Sequence, residues 1–262
     1  MGILNTTPDS FSDGGRFMAG SRALGHARRM VEEGADIIDV GGESTRPGAA
    51  DVGEQEEIDR VVPVIESIRA ELDVPVSIDT SKPGVMRAAV AAGADMINDV
   101  RALRAAGALE AAAELQKPVC LMHMQGAPQT MQQDPRYDDL VADVTQFLRE
   151  RVAECVAAGL DEELLLVDPG FGFGKTPADN IGLLANLRQL LVIGRPLLVG
   201  ISRKSTLGVL TGREVGERVP ASIAAAVMAV DRGASIVRVH DVAETVDAMR
   251  IASAVIEMDT SK

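Results

Sequence analysis

The chain has 262 residues, of which 46% are hydrophobic and 25% are charged, a composition typical of one globular domain with a large core. Its formal charge of −13, from 39 acidic and 26 basic side chains, argues against a nucleic-acid or anionic-membrane surface. The longest uncharged stretch near the end, residues 219–230, is shorter than the ~18 apolar residues of a membrane span, so we expect a cytoplasmic protein.

Short apolar runs alternate along the chain with stretches rich in Ala, Glu and Arg. The apolar runs predict strands near residues 2–5, 36–41, 75–79, 95–98, 118–123, 164–168, 197–201 and 235–239. The stretches between them predict helices near residues 21–34, 54–71, 83–92, 107–115, 138–158, 179–191, 218–232 and 242–256. Glycines that precede a strand predict four helix ends, at Gly34, Gly93, Gly159 and Gly233. Eight such units predict a single (β/α)8 TIM barrel with a parallel eight-stranded sheet, spanning residues 1–262 as one domain.

Nearly every predicted strand ends on a polar or charged side chain, although a strand buried on both faces needs only apolar ones. In chain order these ends are Asn5, residues 41–45, Asp79, Asn98, His123, Asp168, residues 202–204, and Arg238 with His240. The carboxyl ends of the strands share one rim in a barrel, and active sites lie on that rim. The sequence therefore predicts an active site at the C-terminal strand ends. Cys120 and Cys155 have no metal-binding or redox spacing, and we expect two buried free thiols.

The segments at these strand ends resemble one known family. They are residues 1–5 (MGILN), 7–15 (TPDSFSDGG), 42–48 (GESTRPG), 77–80 (SIDT), 97–99 (IND), 168–175 (DPGFGFGK), 202–205 (SRKS) and 238–241 (RVHD). In this order, and over essentially the whole chain, they resemble dihydropteroate synthase, of the pterin-binding enzymes. The chain departs from the family pattern at Thr6, where an apolar residue is usual, and it lacks the segment that normally precedes the first strand. We expect the barrel bottom to be poorly covered and the true start to lie upstream.

The resemblance implies a transferase of folate biosynthesis that joins 6-hydroxymethyl-7,8-dihydropterin diphosphate to 4-aminobenzoate and releases diphosphate. It also implies Mg²⁺ as cofactor, sulfonamides as inhibitors and a homodimer. The implied catalytic residues are Asp79, Asp168, Lys204, Arg238 and His240. The implied pterin-binding residues are Asp79, Asn98, Met122, Asp168, Phe173, Gly200 and Lys204. The implied diphosphate site comprises Asn5, Thr45, Arg238 and His240, with Asn5 as the metal ligand. The implied aminobenzoate site comprises Phe11, Thr45, Arg46, Pro47, Phe173 and Ser205.

The residue chemistry supports this interpretation independently. A pterin ring presents adjacent N–H and amino donors that suit carboxylates, and acceptors that suit amide and ammonium groups. Asp79, Asn98, Asp168 and Lys204 supply that set. Arg238 and His240 end the last strand, next to Asn5 once the barrel closes, where they can hold phosphate oxygens. Phe171 and Phe173, among glycines, can wall a pocket for a flat aminobenzoate ring.

Other interpretations remain open from the residues alone. Asp79 or Asp168 could cap a turn, and His240 by itself could be structural. Three rival functions are a methyltetrahydrofolate-using methyltransferase, a Schiff-base aldolase using Lys204, and a pterin-binding paralogue without catalysis. Residues 174–176 also resemble the end of a nucleotide-binding P-loop, but the first glycine of that motif is replaced by Pro169, so we do not expect a nucleotide triphosphatase.

Overall fold

The structure, a computed structural model, describes residues 1–6, 16–44, 51–126, 131–132 and 135–260. Its strands form one eight-stranded sheet in sequential order, and every neighbouring pair is parallel. The strands are β1 (Gly2–Asn5), β2 (Ile38–Gly41), β3 (Val76–Asp79), β4 (Met96–Asp99), β5 (Val119–Met122), β6 (Leu165–Asp168), β7 (Leu197–Val199) and β8 (Ala234–Val237).

The sheet closes on itself between its last and first strands. Val239, two residues beyond β8, forms a parallel bridge with Gly2. Its amide donates to Met1 O at 3.0 Å, and its carbonyl accepts from Ile3 N at 3.0 Å. Closure leaves the sheet without an edge, as a barrel requires. The predicted barrel is therefore confirmed.

Helices surround the barrel and follow the strands in sequence. They are α1 (Arg16–Glu32), α2 (Glu54–Glu71), α3 (Pro83–Ala91), α4 (Ala108–Leu115), α5 (Leu140–Ala157), α6 (Pro177–Ala185), α7 (Ser205–Thr211), α8 (Val219–Asp231) and α9 (Val242–Thr260). All four predicted helix-closing glycines have positive φ, between 96° and 111°. A left-handed residue after a helix is the usual glycine C-cap, so these helix ends follow from the sequence.

The structure corrects the sequence prediction at two helices. The helix predicted over residues 179–191 ends at Ala185, and a 3₁₀ helix follows over Leu187–Ile193. Helix α7 was not predicted at all. It has only seven residues before it ends at Gly212, whose φ is 68°. Seven residues make about two turns, which is too short for a helical period to stand out in the sequence.

Strand alternation divides the apolar residues into two groups. Outward-facing strand residues pack against the helices in the main core, for example Ile78, Leu121 and Val167. Inward-facing residues form a smaller cluster, which we call the barrel floor, comprising Met1, Ile37, Met96, Cys120, Leu166, Leu198 and Ile236. Cys120 therefore serves as a buried apolar residue, and Cys155 is likewise buried and free, as the sequence predicted.

The structure also shows a groove at the end of the barrel opposite the rim. The groove, of about 380 Å³, lies beside Met1 and α9, near the amino ends of the strands. Within the described ranges, no helix is both long and apolar enough to cross a membrane.

Candidate active site

A polar layer lies directly above the barrel floor. Side chains two residues apart on a strand share a face, so the residue two positions after each floor residue also faces inward. By this rule the layer contains Ile3, Asp39, Asn98, Met122, Asp168, Gly200 and Arg238, and four of these seven residues, Asp39, Asn98, Asp168 and Arg238, are polar or charged. The ladder places Asp79 beside Asn98 at the ends of β3 and β4. Residues from strands that are distant in sequence therefore meet in one depression at the rim, as the sequence predicted.

Arg238 connects three strands in this layer. Its Nη2 donates to Asp79 Oδ2 at 2.7 Å, and its Nε donates to Asp39 Oδ2 at 2.5 Å. Burial opposes the charge on Arg238, but Asp39 and Asp79 outweigh that effect and raise its pKa. Burial raises the pKa of Asp79 to about 7, even though Arg238 opposes the rise. Asp79 is therefore a carboxyl group that changes its charge near neutral pH.

Asp168 and Lys204 form the opposite side of the depression. Asp168 Oδ1 accepts from Gly170 N at 2.7 Å. Lys204 Nζ donates to the carbonyl of Phe171 and lies 4.5 Å from the ring centroid of Phe173, a cation–π contact. Burial raises the pKa of Asp168, while it lowers the pKa of Lys204 to about 8 despite the attraction of Asp168. The Lys204 side chain thus carries a positive charge at neutral pH that it can lose in mildly alkaline solution.

The loop after β6 is held from beneath by Lys175, which is 2% exposed. Its Nζ lies 2.9 Å from His123 Nδ1 and donates to Gly170 O at 3.0 Å and Phe173 O at 3.1 Å. Burial, followed by the charge of Lys175, lowers the pKa of His123 to about 3, so the neutral ring can accept a hydrogen bond from the ammonium group. Three acceptors match the three donors of Lys175.

Glycine allows this loop to approach the exit of strand β5 closely. A Cβ atom at Gly170 would lie 1.9 Å from His123 O, and one at Gly174 would lie 2.6 Å from Gln125 O. Both residues have positive φ, 70° and 61° respectively. Only glycine satisfies both conditions without strain, which explains the alternating glycines of the segment. Thr176 then caps α6 with Asp179, so the resemblance to a P-loop has a structural explanation.

The loops after β7 and β8 are joined by two side-chain contacts. Ser202 Oγ lies 3.0 Å from His240 Nδ1, which fixes the position of the imidazole. The Arg203 guanidinium binds both carboxylate oxygens of Asp241, with Nε–Oδ2 at 2.9 Å. Arg203 also has φ of 57°, an unusual left-handed conformation for a residue with a side chain. These contacts hold the segment that carries Lys204 against the end of β8.

Most of the predicted site residues fall into four groups. Asp79, Asn98, Asp168, Lys204 and Arg238 lie together in the depression. Met122 packs with Val100, Met124 and Met131, and Phe173 partly covers this cluster. Ser205 is exposed at the start of α7. Phe11, Thr45, Arg46 and Pro47 lie outside the described residues.

One aromatic prediction was wrong. Phe171 does not wall a pocket, since it is 1% exposed and belongs to the main core. Phe173, two residues later, is partly buried and meets Lys204 at the rim. Two glycines with positive φ, Gly170 and Gly172, turn the chain sharply on either side of Phe171. The strand-like alternation that would place both rings on one side therefore does not apply.

Sequence reasoning missed two polar residues of the site. Asp39 is completely buried among apolar strand residues, and a charged residue in a buried strand was the available indication. Lys175 was placed in the family segment 168–175 and in the rejected P-loop match, but it was given no role in the site, although its place in a glycine-rich segment at a strand exit also fits a buried anchor. Both residues touch side chains or carbonyls of predicted site residues.

Comparison with known proteins identifies the family. A profile of the pterin binding enzyme family matches residues 1–240. The dihydropteroate synthase of Escherichia coli K12 is 54% identical over 262 residues, which is 100% of this chain and 93% of that protein. The chain belongs to the dihydropteroate synthase family.

Solved structures of the family share the fold. The crystal structure of the Yersinia pestis enzyme, in complex with a sulfonamide drug, is 56% identical and superposes with a TM-score of 0.94, covering 98% of this chain and 94% of that one. A Xanthomonas albilineans dihydropteroate synthase in complex with 7,8-dihydropteroate is 54% identical with a TM-score of 0.89, covering 97% and 92% of the two chains. The family, the fold class and the assignment as a transferase that the sequence predicted are confirmed.

Proposed function

We propose that the depression at the rim condenses 6-hydroxymethyl-7,8-dihydropterin diphosphate with 4-aminobenzoate, giving 7,8-dihydropteroate and diphosphate. The observation that carries this proposal is the convergence of two buried carboxyl groups, an amide, an ammonium and a guanidinium above the barrel floor. This is an unusual concentration of polar groups inside a barrel, and it complements a heterocycle with both donors and acceptors.

In this proposal the pterin ring lies between the two carboxyl groups. Asp79 and Asp168 accept hydrogen bonds from the ring N–H and amino groups, while Asn98 and Lys204 meet the ring acceptors. Met122 and Phe173 supply apolar surface to the flat ring, and Gly200 leaves space beside it. A Cβ atom at Gly200 would lie 4.0 Å from Asp168 Oδ2 and 3.9 Å from Arg238 Cβ, so a larger side chain would extend into this space.

The diphosphate would lie on the side of β1 and β8. Closure of the barrel places Asn5 on the strand next to Arg238 and His240. Arg238 uses Nε and one Nη2 hydrogen for Asp39 and Asp79, which leaves Nη1 and the second Nη2 hydrogen for phosphate oxygens. Thr45, the fourth predicted contact, lies outside the described residues.

The donor set near Asn5 fits a sparsely ligated Mg²⁺ ion. In the described part of the chain, no group of three or more His, Cys, Asp or Glu side chains could cage a metal. Asn5 Oδ1 faces the end of β2, where a Cβ atom at Gly41 would lie 3.7 Å from it. Mg²⁺ is commonly held by one or two protein oxygens together with substrate phosphates and water. When bound, the ion would neutralise charge on the departing diphosphate.

The chemistry requires one bond to break and one to form. The bond between the exocyclic methylene carbon and the diphosphate oxygen breaks, and its electron pair leaves with diphosphate. The amine lone pair of 4-aminobenzoate forms the new C–N bond, and the nitrogen then releases a proton. Asp79 and Asp168 stabilise positive charge on the ring, Arg238 and His240 stabilise the leaving anion, and Lys204 orients the ring. The remaining predicted aminobenzoate contacts in the described chain are Phe173 and Ser205.

A diphosphate-release assay tests this function. We expect rapid release only with both substrates and Mg²⁺, strong stimulation by 4-aminobenzoate, and loss of activity in excess chelator. Pterin binding without diphosphate release would indicate a non-catalytic paralogue, and borohydride trapping of substrate on Lys204 would indicate an aldolase. Full activity in chelator would contradict the metal assignment. Methyl transfer from methyltetrahydrofolate without diphosphate release would favour the methyltransferase.

We further propose that the chain forms a homodimer through helices α7, α8 and α9. Helix α8 packs against both α7 and α9. The three helices expose large apolar side chains, including Val209 at 67%, Ile251 at 70% and Val255 at 60%. Exposed apolar surface of this kind favours association. We expect Ile251→Glu with Val255→Glu to reduce the mass measured by light scattering to that of one chain, while Arg250→Ala should not. An unchanged dimer in the double variant would contradict this surface.

A further inference from the structure

Asp39 is buried beneath the predicted ligand contacts. It is 0% exposed, whereas the side chains of Asp79 and Arg238 above it are 11% and 20% exposed. The ladder pairs Asp39 with Ser77 and pairs Gly41 with Asp79, so Asp39 lies two residues further from the rim than the β2 residue that pairs with Asp79. A ligand at the rim would touch Asp79 and Arg238 and would not reach Asp39.

One oxygen of Asp39 joins two of the residues that a ligand would touch. Asp39 Oδ2 accepts from Arg238 Nε at 2.5 Å and from Asn98 Nδ2 at 3.2 Å. Among the described residues, Asp39 Oδ1 has no hydrogen-bond partner. Both side-chain hydrogen bonds of this buried carboxylate therefore end on one atom, Oδ2, which joins Asn98 on β4 to Arg238 at the end of β8.

This arrangement determines which way the amide of Asn98 faces. A carboxylate accepts hydrogen bonds and cannot donate them, so Asn98 must direct its NH₂ group toward Asp39. The carbonyl oxygen of Asn98 and its second N–H then remain for a ligand. An amide in the opposite orientation would present a different set of donors and acceptors to the ring.

The same carboxylate fixes the guanidinium plane of Arg238. Asp39 holds Nε and Asp79 holds Nη2, and two contacts at different nitrogens define the orientation of a rigid planar group. We propose that Asp39 is a specificity-determining positioning residue. It sets the amide orientation of Asn98 for the ring and the guanidinium plane of Arg238 for the diphosphate. This inference rests on the proposed function.

The substitution Asp39→Asn tests the inference, because the shape is kept while the negative charge of the shared acceptor is lost. The neutral amide oxygen of asparagine holds the guanidinium of Arg238 less strongly than a carboxylate oxygen does. Its NH₂ group would take the place of Asp39 Oδ1, where it would be buried without a hydrogen-bond partner. We expect affinity for a pterin without diphosphate, and affinity for inorganic diphosphate with Mg²⁺, each to fall about tenfold in calorimetry. The KM for 4-aminobenzoate at saturating pterin diphosphate should stay within about twofold of wild type.

The control is Arg151→Gln, since Arg151 on α5 is also a buried charged residue, and its Nε donates to Ala102 O at 2.9 Å, outside the predicted ligand contacts. It should lower the thermal midpoint without changing pterin affinity. A structural role alone would make Asp39→Asn behave like this control, with reduced stability and wild-type affinities in the folded protein, and that result would overturn the inference.

A double-mutant cycle provides the decisive readout. If Asp39 acts on the ring through Asn98, Asp39→Asn should cost much less pterin affinity in an Asn98→Ala background than in wild type. Additive losses would overturn the inference while leaving the proposed function intact. Wild-type protein that binds no pterin would overturn both.

Discussion

Arg238 Nη2 lies 2.7 Å from Asp79 Oδ2, although 159 residues separate the two in sequence. The contact crosses the barrel interior from β8 to β3 and places a permanent positive charge beside a buried carboxyl group. Because burial and Arg238 act in opposite directions, the pKa of Asp79 rises only to about 7. Pterin recognition should therefore depend on pH in the neutral range.

Replacing Arg238 should move this pH dependence in a defined direction. The Asp79 carboxylate accepts ring donors only when ionised, so pterin affinity in wild type should increase as pH rises through about 7. Arg238→Gln removes a charge that lowers the pKa of Asp79, so the midpoint should move to higher pH. Calorimetry with a pterin lacking diphosphate, from about pH 5 to about pH 9, measures the shift. Arg250→Gln is the surface control, and a midpoint equal in both variants would contradict the prediction.

Lys204 should control the alkaline limit of activity. Burial lowers its pKa to about 8, and Asp168 raises the pKa against that effect. Because activity requires the charged form, kcat/KM for pterin diphosphate should fall above about pH 8. Lys204→Arg should remove this alkaline limb, the fall of kcat/KM at high pH, because the guanidinium group stays charged. An alkaline limb that persists unchanged in Lys204→Arg would assign it to another group.

Asp168→Asn should act on the same limb through Lys204. Loss of the neighbouring carboxylate lowers the pKa of Lys204, so the alkaline limb should move to lower pH. The variant should also weaken pterin binding while largely preserving the fold, because rim carboxylates serve recognition. Circular dichroism and pH–rate profiles measure both effects. Unfolding of the variant with unchanged pterin affinity in the residual native protein would indicate that Asp168 only caps its turn with Gly170.

Phe173→Leu should weaken the amine site modestly. The ring contacts Lys204 at 4.5 Å, and such cation–π contacts are worth about 0.5–1 kcal/mol at partly exposed sites. We expect a rise of about two- to fivefold in KM for 4-aminobenzoate, with kcat nearly unchanged. Phe147→Leu is the matched control, because Phe147 packs edge-on against His123 at a centroid distance of 5.0 Å. Equal changes in the KM for 4-aminobenzoate in both variants would show that Phe173 has no specific role in the amine site.

Lys175→Met should change the pH dependence of stability. Burial lowers the pKa of Lys175 from 10.5 to about 7, so between these values the unfolded chain binds more protons than the folded protein. The contribution of Lys175 to stability therefore increases as pH rises through that window, by at most about 1.4 kcal/mol per pH unit. The difference in unfolding free energy between wild type and Lys175→Met should change in that direction from about pH 7 to about pH 9 in urea titrations. A constant difference would show that Lys175 keeps an ordinary pKa.

Much of the site could be predicted because a barrel has a simple geometry. Alternation along a strand and a common rim place Asp79, Asn98 and Asp168 together before any distance is known. The same rules do not extend into loops. Phe171 and Phe173 have the same spacing as strand neighbours, yet positive φ at Gly170 and Gly172 separates their environments. Helix α7 was missed because two turns of helix carry too little periodicity.

The sequence by itself determined the barrel, the family and the rim, since strand periodicity, helix caps and polar strand ends are local properties of the chain. Only the tertiary structure decided the roles of Asp39 and Lys175. Asp39 contacts Arg238, 199 residues away, and Lys175 contacts His123, 52 residues away. A buried charge is stabilised by whatever groups surround it in space, and barrel closure brings those groups from distant strands. Their identity therefore cannot be read from neighbouring residues.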